Sequence, residues 1–339
     1  MKIVHPHLFV RYDLRYALIE VGFLYVAHHG VPEAITERLV QALPTLFALP
    51  PEAKAAVALE NSPHFLGYSA AGRESTAGRP DFREQVEFAT ELPDDWRDGD
   101  PLYDRLRGPN QWPPGLPELR QIVTEYIQSL TTLSERFLML VARALALPSD
   151  VFLPFLSDQH RLKLVHYPSL PFGSASVSDQ GVGPHKDSSG WWTFLLQASP
   201  PEVPGLQALN KVGQWIDVPA KPGTLVVNIG QAFEVVTDGI CKATTHRVLS
   251  GPQERYSVPF FQGVRRSLTK YEAQVLRPHF ASFNAGTESI EGRSVDSAFL
   301  RGRYETWGES QLRTKIRSHM ENGRKFYGQV YEQYMQDDA

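Results

Sequence analysis

Within residues 160–265, seven runs rich in β-branched and aromatic side chains, at 162–167, 192–197, 206–209, 215–218, 224–229, 243–249 and 257–264, are punctuated by Gly and Pro. Short strands with turn signals at this spacing predict a double-sheet jelly roll, that is, a double-stranded β-helix. Upstream the period changes. Residues 118–147 place Leu119, Ile122, Val123, Tyr126, Ile127, Leu130, Leu133, Phe137, Leu140, Val141 and Leu145 three or four apart, the pattern of one long amphipathic helix closed by Pro148. Residues 1–150 read as mainly helical, interrupted by a strand at 22–26, and residues 309–334 read as one C-terminal helix. The expected fold is mixed α/β with a β-rich core, a jelly roll flanked by helices, in a single domain over residues 1–339.

Composition narrows the functional classes. The formal net charge is -4 and no Lys/Arg block occurs, which argues against nucleic acid or an anionic membrane as partner. The one cysteine, Cys241, leaves no internal disulfide framework and suits a reducing compartment. With no signal-peptide pattern and no 18-residue apolar run, the expectation is a cytoplasmic protein, monomer or homodimer, acting on a small molecule.

The chemistry is concentrated in two places. In Gly-Val-Gly-Pro-His-Lys-Asp, His185 and Asp187 stand two apart, so in an extended chain they project to one face while Lys186 points away. His246, in Thr-Thr-His-Arg-Val, supplies a second imidazole from another strand. Two imidazoles and a carboxylate on one face of an octahedron leave adjacent positions open, the facial triad of non-haem Fe(II) oxygenases. Nine residues after His246, Arg255 and Ser257 share a face of an otherwise apolar run. A buried guanidinium demands an anionic partner, and its planar fork suits a carboxylate.

From about residue 14 to about residue 263 the chain resembles the Fe(II)- and 2-oxoglutarate-dependent dioxygenases of the isopenicillin N synthase type. The motifs that carry the resemblance are Gly22-Phe23-Leu24-Tyr25-Val26 with His28-His29-Gly30-Val31, Phe47-Ala48-Leu49-Pro50, His166-Tyr167-Pro168, Gly205-Leu206-Gln207 and Asn228-Ile229-Gly230, in the family's order. The resemblance implies a single catalytic domain in which His185, Asp187 and His246 bind Fe(II), while Arg255 and Ser257 hold the distal carboxylate of 2-oxoglutarate with Tyr167 as a third contact. It also implies that O2 and 2-oxoglutarate are consumed to oxidise a substrate C–H bond by hydroxylation, desaturation or ring formation, with release of succinate and CO2. Val165 departs from the Asn that plant members often carry there.

Phe65, Tyr68, Arg73, Trp191, Trp192, Phe233 and Phe261 are candidates for the substrate wall, and alternation sends one of the two tryptophans to the cavity and the other onto a helix. An aromatic wall suits a planar or apolar compound, and the segment at 67–82 is similar to the corresponding loop of microbial and fungal members in small-molecule biosynthesis. The segments at 65–88 and 309–334 are expected to cover the barrel mouth. Two other functions fit the same scaffold: an iron oxidase that does not use 2-oxoglutarate, and a non-catalytic protein that binds a small ligand.

Overall fold

The computed structural model describes residues 3–4, 10–76, 78–170, 180–284, 295 and 297–336. Its strands, in chain order, begin with β1 (Ile3–Val4), β2 (Phe23–Ala27), β3 (Gly67–Ser69), β4 (Ser75–Thr76), β5 (Arg79–Pro80) and β6 (Glu84–Ala89). They continue with β7 (Arg161–Tyr167), β8 (Gln180–His185), β9 (Gly190–Gln197), β10 (Leu206–Leu209) and β11 (Trp215–Asp217), and end with β12 (Thr224–Ile229), β13 (His246–Leu249) and β14 (Arg255–Gly263). An eight-stranded sheet runs β1-β2-β12-β9-β14-β7-β6-β3 and a four-stranded sheet runs β11-β10-β13-β8. Apart from the parallel β1–β2 pair, the neighbours in both sheets are antiparallel.

Alternation decides which side chains enter the barrel. On β7, Leu162 and Leu164 are buried in the outer core with Phe194 of β9 and Phe260 of β14. Apolar residues of the long helix Leu119–Ala144 belong to the same core, among them Val123, Leu130 and Phe137. The residues of opposite parity, Val165 and Tyr167, form an inner cluster with Phe23, Val182, Leu195, Leu206 and Val248, drawn from both sheets. The jelly roll is therefore built as expected, with the long helix packed on its outside.

Three features depart from the sequence reading. β6 and β8 add strands where no β-rich run stands out, because β6 carries Glu84, Gln85 and Glu87 and β8 carries Gly181, Gly183 and Pro184; pairing with β7 and β13 overrides that weak local preference. Residues 1–150 are less purely helical than expected, since β2, β3 and β6 belong to the large sheet. The C-terminal segment is three helices, Trp307–Ser318, Met320–Phe326 and Gly328–Gln336, not one. Non-helical dihedrals at His319 (φ -133, ψ 72) and Tyr327 (φ -132, ψ 28) break it. The breaks bring Tyr327, Tyr331 and Tyr334 into a satellite core with Leu312, Ile316, Phe65 and Tyr304, a packing that one straight rod could not make.

Candidate active site

β8 and β13 place His185 directly opposite His246 in the antiparallel ladder, with ring centroids 4.3 Å apart. Asp187 lies two residues beyond the end of β8, and its Oδ1 is 3.5 Å from Nε2 of each histidine. All three ligand atoms lie within 4.8 Å of one another. The outer nitrogens are occupied: Nδ1 of His185 meets the Gly183 carbonyl at 2.8 Å and Nδ1 of His246 meets that of Thr244 at 3.1 Å. With Nδ1–H donating to a carbonyl, each Nε2 keeps its lone pair for a metal. On Asp187, Oδ2 accepts from Thr193 Oγ1 at 2.5 Å and Asn228 Nδ2 at 2.7 Å, which leaves Oδ1 facing the histidines. Burial by itself raises the Asp187 carboxyl, but the facing His246 and His185 outweigh it and hold the group well below the usual carboxylate range. Two imidazoles and an ionised carboxylate with their outer atoms already engaged fit a divalent cation.

Thr193→Val removes one of the two bonds that orient the carboxylate while keeping the side-chain volume. Metal affinity is expected to fall by roughly 10–100-fold, read by competition against a chromogenic chelator. Unchanged affinity would mean that Asn228 alone orients Asp187.

The same cavity, about 390 Å³, is lined by Arg255, Ser257 and Tyr167. Register puts Arg255 opposite Tyr167, and its guanidinium carbon lies 5.0 Å from the centre of that ring. Gly205 makes room for it, since a Cβ there would stand 3.0 Å from Arg255 Cδ. Arg255 is buried and its Nη2 donates to Gln197 Oε1 at 3.0 Å, but Nη1 has no partner. Among the described residues no carboxylate pairs with it, and burial pushes its pKa down. A permanently charged group held this way needs an anion brought in from outside.

At the opposite end the lining is charged. Glu87 Oε1 accepts from Arg161 at 2.6 Å and Lys315 at 2.7 Å, while Glu74 accepts from Arg83 at 2.8 Å and Gln85 at 2.5 Å. Burial lowers His319 to about 4 and Lys315 to about 8. The helix Trp307–Ser318 contributes Gln311, Thr314, Lys315 and Ser318 to the lining, whereas its Leu312 and Ile316 face the satellite core. Gln311 also donates to the Ser188 carbonyl at 2.9 Å, next to Asp187. Residues of the 65–88 segment, Glu74, Ser75, Thr76, Arg83 and Glu87, line the same mouth.

Of the aromatic and cationic wall candidates, Phe261 lines the cavity. Trp191 and Trp192 both pack outside it around Phe233, with centroids at 5.6 and 4.3 Å, and Phe152 and Phe137 complete those contacts. Thr193 and Leu195 take the inward positions of β9. Phe65 stacks on Tyr327 in the satellite core, the Tyr68 hydroxyl donates to Glu84 at 2.6 Å, and Arg73 makes an exposed pair with Glu321. Charged side chains at the mouth thus join Phe23, Tyr167 and Phe261 in the lining, in place of a wholly aromatic wall. Lys163 and Arg161 were not singled out from the sequence; they share the parity of Tyr167 in Arg-Leu-Lys-Leu-Val-His-Tyr, and that alternation is the signal that could have found them.

Two sequence profiles match the chain: "non-haem dioxygenase in morphine synthesis N-terminal" over residues 9–115 and "2OG-Fe(II) oxygenase superfamily" over residues 159–264. A 2-oxoglutarate-dependent dioxygenase, frbJ, of Dothideomycetidae sp. (strain 11243) is 41% identical over 322 residues, covering 93% of this chain and 86% of that protein. The chain belongs to the Fe(II)- and 2-oxoglutarate-dependent oxygenases. A putative 2OG-Fe(II) oxygenase family protein from Caulobacter crescentus superposes with a TM-score of 0.73 at 26% identity, over 94% of this chain and 98% of that one. Neurospora crassa T7H in complex with alpha-KG shares the fold at 23% identity, with a TM-score of 0.66 over 90% of each chain. This oxygenase uses Fe(II), 2-oxoglutarate and O2 to oxidise a C–H bond of a small organic molecule, with succinate and CO2 as co-products. Among its described residues no helix is long and apolar enough to cross a membrane.

Proposed function

We propose that this oxygenase hydroxylates a small, polar, charged metabolite, with His185, Asp187 and His246 holding Fe(II) and with Arg255, Ser257 and Tyr167 holding 2-oxoglutarate. The observation that carries the co-substrate assignment is the buried Arg255 guanidinium, without an acid partner, in the cavity that the three metal-ligand candidates also line. Ser257, two residues on and equally buried, adds a hydroxyl on the same face. Iron with bound co-substrate supplies the oxidising equivalent that removes substrate hydrogen. The chain's own contribution is placement and exclusion of water. Thr193 and Asn228 orient Asp187, the backbone carbonyls of Gly183 and Thr244 fix the imidazole tautomers, and the Gln311–Ser188 bond ties the C-terminal helix over the site.

A polar substrate is supported by Glu74, Arg83, Glu87, Lys163 and Lys315 in the cavity mouth. Relatives point the same way. Homoarginine-6-hydroxylase 2-ODD-C23.1 of Arabidopsis thaliana is 31% identical over 246 residues, 71% of this chain and 73% of that protein. Anaerobic titration with Fe(II), with and without 2-oxoglutarate, tests the site: a visible charge-transfer band that develops only when both are present is expected. Absence of that band, together with absence of succinate under air, would overturn the proposal.

A further inference from the structure

We infer that the substrate carries a carboxylate and that Lys163 binds it. The inference rests on the co-substrate reading above, because it places a second anion in a cavity whose first anion is assigned to Arg255.

β7 turns Arg161, Lys163, Val165 and Tyr167 into the cavity as one row. Tyr167 is paired with Arg255, and Lys163 lies four residues away, about 13 Å along the strand. A co-substrate anchored at Arg255 is therefore committed to the other end of the barrel. The cations around Lys163 are already engaged. Arg161 donates to Glu87 and to the carbonyls of His64 and Phe65, Lys315 donates to both oxygens of Glu87, and Arg83 Nη2 reaches Glu74 and Asp81. Among the described residues Lys163 approaches only Glu74, at 3.8 Å, and Glu87, at 3.7 Å, both beyond hydrogen-bond reach. Those carboxylates take their short hydrogen bonds from Arg83, Gln85, Arg161 and Lys315, and Lys163 acts on them through charge alone. Its side chain is only 17% exposed, so water supplies little compensation.

Charge counting gives the sign and size of the missing partner. At this end four cations, Arg83, Arg161, Lys163 and Lys315, face three carboxylates, Glu74, Asp81 and Glu87, while burial keeps His319 neutral. At the other end a divalent iron and Arg255 match Asp187 and the 2-oxoglutarate dianion. Lys186 is neutralised by Glu234 at 3.2 Å. One positive charge remains, and it lies on the cation without a hydrogen bond. Arg83 Nε, buried and unpartnered in the same lining, is a second donor for the same group. A singly charged carboxylate satisfies both charge and donors.

The test uses protein loaded with Zn(II), which N/O sites hold more tightly than Fe(II), and with saturating 2-oxoglutarate. Acetate and its neutral isostere acetamide are titrated in and followed by ligand-observed NMR. Saturable acetate binding is expected, with acetamide roughly tenfold or more weaker. Lys163→Met should weaken acetate by a similar factor with 2-oxoglutarate affinity within about twofold of wild type, and Lys163→Arg should recover most of the loss. Equal binding of the two probes, no saturable acetate binding, or full acetate affinity in Lys163→Met overturns the inference while leaving the co-substrate site standing. Failure of 2-oxoglutarate to bind the loaded wild type overturns both.

Discussion

Asp187→Ala protein is expected to fold, to lose metal affinity by at least about 100-fold, and to form no succinate above background. Asp187 is the one negative charge of the candidate donor set, and it lies in the loop after β8, outside the hydrogen-bonded ladder. Removing it leaves two neutral imidazoles, a set that divalent iron holds poorly against water. The loss is expected to exceed that from Thr193→Val because the proposed ligand itself is gone, not merely its orientation. Circular dichroism establishes the fold and anaerobic calorimetry gives the affinity. Full activity of the variant in chelator-treated buffer would sink the metal assignment.

Arg255→Ala is expected to weaken 2-oxoglutarate binding by two orders of magnitude or more. A buried guanidinium–carboxylate pair deprived of one partner costs about 3–5 kcal/mol, which converts to that factor or above. Here the cost falls wholly on the co-substrate, since Arg255 pairs with no acid of the described chain. Ser257→Ala should cost less, roughly the 1.5–3 kcal/mol of a hydrogen bond to a charged group. Arg255→Lys should recover only part of the loss, because an ammonium lacks the planar fork. The measurement is the dissociation constant of 2-oxoglutarate for the metal-loaded protein. An unchanged constant in Arg255→Ala would favour an oxidase that does not use this co-substrate.

The jelly roll was legible because seven of its strands carry their own β-rich runs, and the long helix because a 3.6-residue period persists over 26 residues. β6 was not legible. Its inward residues include Gln85 and Glu87, which read as a solvated loop until the neighbouring strand sets Lys163 opposite Glu87 and brings Arg161 into an ion pair with it. The tryptophans misled for a related reason. Parity alone assigns Trp191 to the face of Thr193, yet its ring packs against Phe152, Phe155 and Phe233 and is buried in the outer core with them.

By itself the sequence determined the strand-rich core and named the three metal-ligand candidates and Arg255, because such residues must alternate with apolar ones along a strand and alternation is a local property. Tertiary structure alone decided what surrounds them. The pairing of His185 with His246 spans 61 residues of chain and depends on which strands become neighbours. The charged mouth draws Glu74 from one loop, Glu87 and Lys163 from adjacent strands and Lys315 from the C-terminal helix. No local pattern encodes that meeting, since each of these residues taken alone reads as a solvated surface charge and becomes a binding element only when burial withdraws water from all of them together.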